Sequence, residues 1–100
     1  MRRVMVRYTV KPGQAAVNEE LVRAVYDELH QTSPSGLRYA TFRLEDGLTF
    51  VHLAIHEVQA NPLLAVSAFQ RFQDGIAARC EIPPQAAELE QIGSYRLFGA

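Results

Sequence analysis

The 100-residue chain is 48% hydrophobic and 21% charged, and its ten basic and eleven acidic side chains leave a net charge of −1. That balance excludes a disordered chain, and the scattered cations do not form the basic stripe of a nucleic-acid binder. The lone Cys80 excludes an internal disulfide and a multi-cysteine zinc site, and no apolar run approaches the roughly 20 residues of a membrane span. The start, MRRVMVRYTV, lacks the apolar stretch and cleavage site of a signal peptide. The expectation is one soluble domain over residues 1–100 in a reducing cytoplasm, with no nucleic-acid or membrane partner.

Residues 3–10, RVMVRYTV, are β-branched and aromatic and end at Pro12-Gly13, which predicts a first strand. From Ala15 to about Thr32 the period becomes helical, with Val17, Leu21, Val22, Val25 and Leu29 along one face. Ser33-Pro34-Ser35-Gly36 stops that helix, because a residue before proline is pushed out of the α region. LRYATFRLE and LTFVHLAIHE then flank Asp46-Gly47, the signature of a two-residue type I′ hairpin with both central residues at positive φ. Such a turn sets Arg43 opposite Phe50, Thr41 opposite His52 and Tyr39 opposite Ala54. Asn61 as N-cap and Pro62 at the first position open a second helix with an apolar stripe of Ala65, Phe69, Phe72, Ile76 and Cys80. Gly75 marks a kink or an early end, and Ile82-Pro83-Pro84 closes the segment. Residues 88–98, ELEQIGSYRLF, read as the last strand, with Gly93 a candidate bulge.

The order β-α-β-β-α-β is the ferredoxin-like pattern of the α+β class, a four-stranded antiparallel sheet with two helices on one face. The hairpin has an aliphatic face (Ala40, Phe42, Leu44, Val51, Leu53, Ile55) and a mixed one (Tyr39, Thr41, Arg43, Phe50, His52, Ala54, His56). The aliphatic face is expected under the helices, leaving very roughly 500 Å² of mixed face bare. A second copy is the simplest cover, so a homodimer through that sheet face is expected.

The VMVRYTVKPGQ start, the YATFRLEDGLTFVHLAIHE hairpin, the NPLLAVSAFQRFQDGI helix and the GSYRLFG end together resemble the dimeric α+β barrel proteins, and among them the antibiotic-biosynthesis-monooxygenase-like domains. The resemblance spans almost the whole chain. It implies a homodimer whose sheets pack into a barrel, with a ligand cavity between sheet and helices in each subunit. Known members include cofactor-independent quinone-forming oxygenases and haem-degrading enzymes. The haem degraders have a sheet Trp and a His on the second helix; this chain has no Trp, and its second helix offers Gln70, Arg71 and Gln73 instead. With no Gly-rich phosphate loop either, no cofactor is expected.

His52, mid-strand on the mixed face, has the near-neutral pKa of a general base. If the protein is an enzyme, it is the expected proton-transfer group, with Tyr39 and Arg43 orienting an enolate-like or anionic ligand. The alternative is that all three fill the dimer interface. A cavity on the helix side would instead recruit Phe69, Phe72 and whichever of Arg7 or Tyr8 points inward, leaving His52 at the interface. His52 and His56 lie about 13 Å apart along the strand, too far to share a metal, and no metal site is expected. His30 reads as surface and Cys80 as core. Two functions stay open: a cofactor-independent monooxygenase acting on a phenolic or quinol-type aromatic, and a non-catalytic homodimeric barrel that binds a small ligand or serves in stress.

Overall fold

A computed structural model describes residues 1–97. Its elements run β1 (Arg2–Val10), α1 (Ala15–Thr32), β2 (Leu37–Arg43), β3 (Thr49–His56), a 3₁₀ turn (Pro62–Ala65), α2 (Ser67–Gln73), α3 (Ile76–Arg79) and β4 (Cys80–Glu88). The four strands form one antiparallel sheet in the order β2-β3-β1-β4, with the helices packed on one face. This is the expected ferredoxin-like α+β architecture, and α1 has the expected bounds.

The hairpin register is as expected, with Tyr39 opposite Ala54, Thr41 opposite His52 and Arg43 opposite Phe50. The turn is not. Only Gly47 has positive φ, at 75°, whereas Asp46 does not. The Asp46 carboxylate accepts from the backbone N–H groups of Leu48 and Thr49, each at 2.8 Å, and from the Thr49 hydroxyl at 2.6 Å. Those bonds fold residues 45–48 into a loop, closed by Leu44 N–H to the Thr49 carbonyl at 2.8 Å. A side chain that gathers three donors replaces the backbone geometry of a type I′ turn.

The last strand is Cys80–Glu88 rather than residues 88–98. Pro83-Pro84 does not close a helix but sits within this strand. Thr9 pairs with Ile82 and Arg7 with Gln85, so two prolines lie opposite the single Tyr8 in a bulge. An edge strand that pairs only with β1 tolerates prolines at such a point, where a ladder donor is dispensable. Residues 89–97, Gly93 among them, carry no strand, and the expected end at Phe98 lies outside the described residues.

The second helix is broken into three pieces. Asn61 does cap, its side chain accepting from Leu63 N–H, but what it caps is the 3₁₀ turn. Gly75, at φ 72°, separates α2 from α3, since its left-handed backbone cannot continue a helix. The start of α2 has no side-chain cap of its own. Instead Glu28 of α1 accepts from Ser67 N–H at 3.0 Å and Ala68 N–H at 2.9 Å, and so joins the two helices.

The facing of the sheet is the reverse of expectation. Tyr8, Val10, Phe50, His52 and His56 are buried with Val22, Val25, Leu63, Val66 and Phe72 under the helices. Phe42, on the opposite face, is 43% exposed. The polar groups of the mixed face decide this. Thr41 meets the Tyr26 hydroxyl at 2.7 Å, so α1 supplies the partner that a polar group needs when covered, and at the exposed hairpin end Arg43 meets Glu19 of α1 at 2.9 Å.

Because one carboxylate caps a neighbouring helix, Glu28→Ala is expected to cost about 1–2 kcal/mol in urea denaturation. Glu28→Gln, which keeps one acceptor, is expected to lose less.

Candidate functional site

β1 and β3 place Tyr8 and His52 side by side on the inner face, because Tyr8 pairs with Phe50 and Val6 with His52. The Tyr8 ring stacks on both Phe50 and His52, at centroid distances of 5.6 and 5.3 Å. Its hydroxyl lies 2.8 Å from His52 Nε2. On the other side of the imidazole, Nδ1 is 2.7 Å from the Tyr39 hydroxyl and 3.0 Å from that of Thr41. Thr41 in turn meets Tyr26.

The chain of bonds has a direction. Arg79, buried at the end of α3, can only donate, and its Nε–H reaches Asn18 Oδ1 at 3.3 Å. That leaves the Asn18 amide NH₂ to donate to the Tyr8 oxygen at 2.9 Å. With its oxygen so engaged, Tyr8 donates its own hydrogen to His52 Nε2. The neutral imidazole then carries its hydrogen on Nδ1 and donates to Tyr39 or Thr41. The opposite tautomer would leave the Tyr8 hydrogen without an acceptor among the described residues. Arg79 itself is anchored by the carbonyls of Phe72 at 2.7 Å and Asp74 at 3.0 Å, with its guanidinium 5.6 Å from the Phe72 ring centre.

Burial sets the protonation of these groups. It pushes His52 down to about 4, and nothing ionic offsets the cost of a buried imidazolium. It pushes Tyr26 up to about 12, and Tyr8 and Tyr39 well above an ordinary phenol, against hydrogen bonds from Asn18 and Thr41 that act the other way. At neutral pH the cluster is uncharged from Tyr8 to Tyr26.

A cavity of about 570 Å³ opens beside it, between the inner sheet face and the 3₁₀–α2–α3 segment. Tyr8, Tyr39 and His52 form one wall, Val4, Val6 and Ala54 the floor, and Leu63, Phe69, Phe72 and Ile76 the roof. Apolar walls with few convergent polar groups are the usual make-up of a small-molecule site.

Of the residues singled out in the sequence, the structure brings together His52, Tyr39, Phe69 and Phe72. Arg43 lies at the hairpin end, paired with Glu19, and Arg7 is exposed on the outer face; neither lines the cavity. His30 is exposed, and Cys80 is buried with its thiol pushed up by burial. Among the described residues no three His, Cys, Asp or Glu side chains gather as metal ligands. Of the pair Arg7 and Tyr8, it is Tyr8 that points inward and lines the cavity; Asn18, Tyr26 and Arg79 were not legible as site residues. Asn18 carried a signal, since it falls four residues before Val22 and seven before Val25 in the buried stripe of α1, where a polar side chain must find a partner.

No protein-family model and no curated protein matches the chain. Solved structures do. An antibiotic biosynthesis monooxygenase superposes with a TM-score of 0.73 at 20% identity, over 93% of this chain and 100% of that one. The fold is that of the antibiotic biosynthesis monooxygenases. PA3566 from Pseudomonas aeruginosa matches with a TM-score of 0.73 at 19% identity, over 92% of this chain and 94% of that one. SnoaB from Streptomyces nogalater, a cofactor-independent oxygenase, matches with a TM-score of 0.66 at 18% identity, over 93% and 94%. At such identities the monooxygenase fold is what is shared.

The depressed His52 pKa has a measurable consequence. Between about pH 6.5 and 4 the unfolded chain binds a proton at this position that the folded chain does not, so stability falls as pH falls through that window. Relative to His52→Gln, the wild type is expected to lose roughly 3 kcal/mol more between pH 7 and 4, read from urea midpoints.

Proposed function

We propose that the protein is a cofactor-independent monooxygenase acting on a phenolic or quinol-type aromatic substrate. The observation that carries this reading is the apolar cavity of about 570 Å³ adjoining a neutral, buried His52 held between two tyrosine hydroxyls. The fold shared with SnoaB supports it.

For an anthrone the reaction balances with dioxygen alone: anthrone and O₂ give the anthraquinone and water. The protein has to remove a proton and hold the resulting anion where O₂ reaches it. His52 takes the proton. Its lone-pair nitrogen is engaged by Tyr8, so the proton passes through that hydroxyl: the Tyr8 oxygen receives the substrate proton as its own moves to Nε2. Tyr39, whose oxygen accepts from His52 Nδ1–H, turns its own hydrogen to the substrate oxygen and steadies the developing charge. Phe69 and Phe72 cover the ring and keep water out. The imidazolium is stabilised only while the substrate anion is present, which ties the proton transfer to an occupied site.

The chain is proposed to act as a homodimer. The outer sheet face carries Met5, Ala40, Phe42, Val51, Leu53 and Ile55, with Arg3, Arg7 and Arg38 at its margins, and residues 89–97 expose Leu89, Ile92, Tyr95 and Leu97. Apolar area of this extent calls for a cover, and a two-fold pairing of identical faces provides one. The expected partner surface is thus the aliphatic face, opposite to the one favoured from the sequence. No helix among the described residues is long and apolar enough to cross a membrane.

Anthrone oxidation, followed by anthraquinone absorbance and oxygen uptake, tests the activity. His52→Gln is expected to lower kcat on the order of 100-fold with the fold retained. Unchanged turnover removes His52 from its role. Binding without turnover by the wild type moves the protein to the reading of a ligand-binding barrel. Light scattering is expected to give about twice the 11.2 kDa chain mass, and Leu53→Asp to shift the protein toward monomer.

A further inference from the structure

We infer that the cavity ends in a second polar contact, built by His56, Arg2 and Asn61, that receives a carboxylate carried by the aromatic ligand. The inference rests on the aromatic-ligand reading above and deepens it.

His56 is buried to 7% exposure on the same strand face as His52, yet the two imidazoles differ in their bonding. Both nitrogens of His52 are engaged. Among the described residues neither nitrogen of His56 has a hydrogen-bond partner: Nδ1 is sealed against the protein, while Nε2 is not, so Nε2–H is the group the ring can offer to the cavity. A reachable donor on an otherwise buried ring, with its bonding capacity unused, is a group that a ligand in the cavity can complete. The ring lines both the main cavity and an adjoining recess of about 340 Å³, and Arg2 and Asn61 line both as well.

The neighbours define what that something is. Arg2 lies directly across the ladder from His56. Its Nε is paired with Glu88 at 2.9 Å, which leaves the terminal NH₂ groups to donate. The side-chain oxygen of Asn61 is taken by Leu63 N–H, which leaves its NH₂. Glu57, which also lines the recess, has its carboxylate paired with Arg38 at 3.3 Å. The contact therefore presents donors, one of them cationic, and suits an anionic acceptor. Four residues along an extended strand set it about 13 Å from His52. A single ring cannot touch both ends, whereas a fused-ring aromatic acid can, with its oxygenated ring at Tyr39 and its carboxylate at Arg2 and His56.

Titration calorimetry with anthraquinone-2-carboxylate and with neutral 2-methylanthraquinone tests this, since the two differ only in the group placed at the mouth. Wild type is expected to bind the carboxylate roughly tenfold more tightly. Arg2→Gln and His56→Phe are each expected to bring the two compounds to near parity, through weaker binding of the carboxylate. Should His56→Phe fail to fold by circular dichroism, Arg2→Gln decides, because that side chain is largely exposed. Equal affinity in the wild type, or a preference that survives substitution, overturns the inference and leaves the aromatic-ligand reading in place. Binding of neither compound overturns both.

Discussion

A single buried guanidinium organises the interior of this protein. Arg79 donates to two carbonyls of the α2 segment and to Asn18 of α1, and thereby ties the third helical piece to the first helix. It also breaks a symmetry. Asparagine, tyrosine hydroxyl and neutral histidine each have a donor end and an acceptor end, so a chain of them has two senses. A group that only donates selects one. The sense then runs through Asn18 and Tyr8 to His52, and it delivers an imidazole with its hydrogen on the side of Tyr39. The protonation geometry at the cavity wall is thus determined at the junction of α3 and β4, several side chains away.

The network also accounts for the placement of the sheet. A face with two histidines, a threonine, a tyrosine and an arginine looks unsuited to a core, and a count of aliphatic side chains puts the other face inward. What matters under the helices is that the polar groups beside α1 find partners, and α1 supplies Asn18, Glu19 and Tyr26 at the required positions. Phe50, Val10 and Phe72 then fill the space between. The aliphatic face, left outside with Arg3, Arg7 and Arg38 flanking its aliphatic centre, is the natural surface to bury against an identical one.

Much of this was legible in the sequence. The β-α-β-β-α-β order, both ends of α1 and the hairpin register follow from periodicity and local turn chemistry, because those signals act between residues close in sequence. The bulge at Pro83-Pro84 was not legible, because it depends on β4 being an edge strand paired to β1, some 75 positions earlier. For the same reason Arg43 read as a site residue: hairpin register placed it on the face of His52, but its partner Glu19 on α1 draws it to the far end. His52, Tyr39, Phe69 and Phe72 were recognisable from residue type and face. Asn18 and Arg79 were not, since what sets them apart is a contact between α1 and α3.

The roof of the cavity is assembled from pieces of four, seven and four residues. Helices this short have no stability of their own in water. Each persists through a tether to the rest of the molecule: Asn61 for the first, Glu28 and the Phe72 ring for the second, Arg79 for the third. The β1–β3 floor, by contrast, is one continuous ladder. Amide hydrogens of residues 62–79 should therefore exchange through local openings, each governed by its own tether, while those of β1 and β3 wait for global unfolding. The barrier to admitting a ligand is then set by a handful of polar anchors and by the few core side chains this segment contributes, Leu63, Val66 and Phe72, and entry leaves the sheet undisturbed.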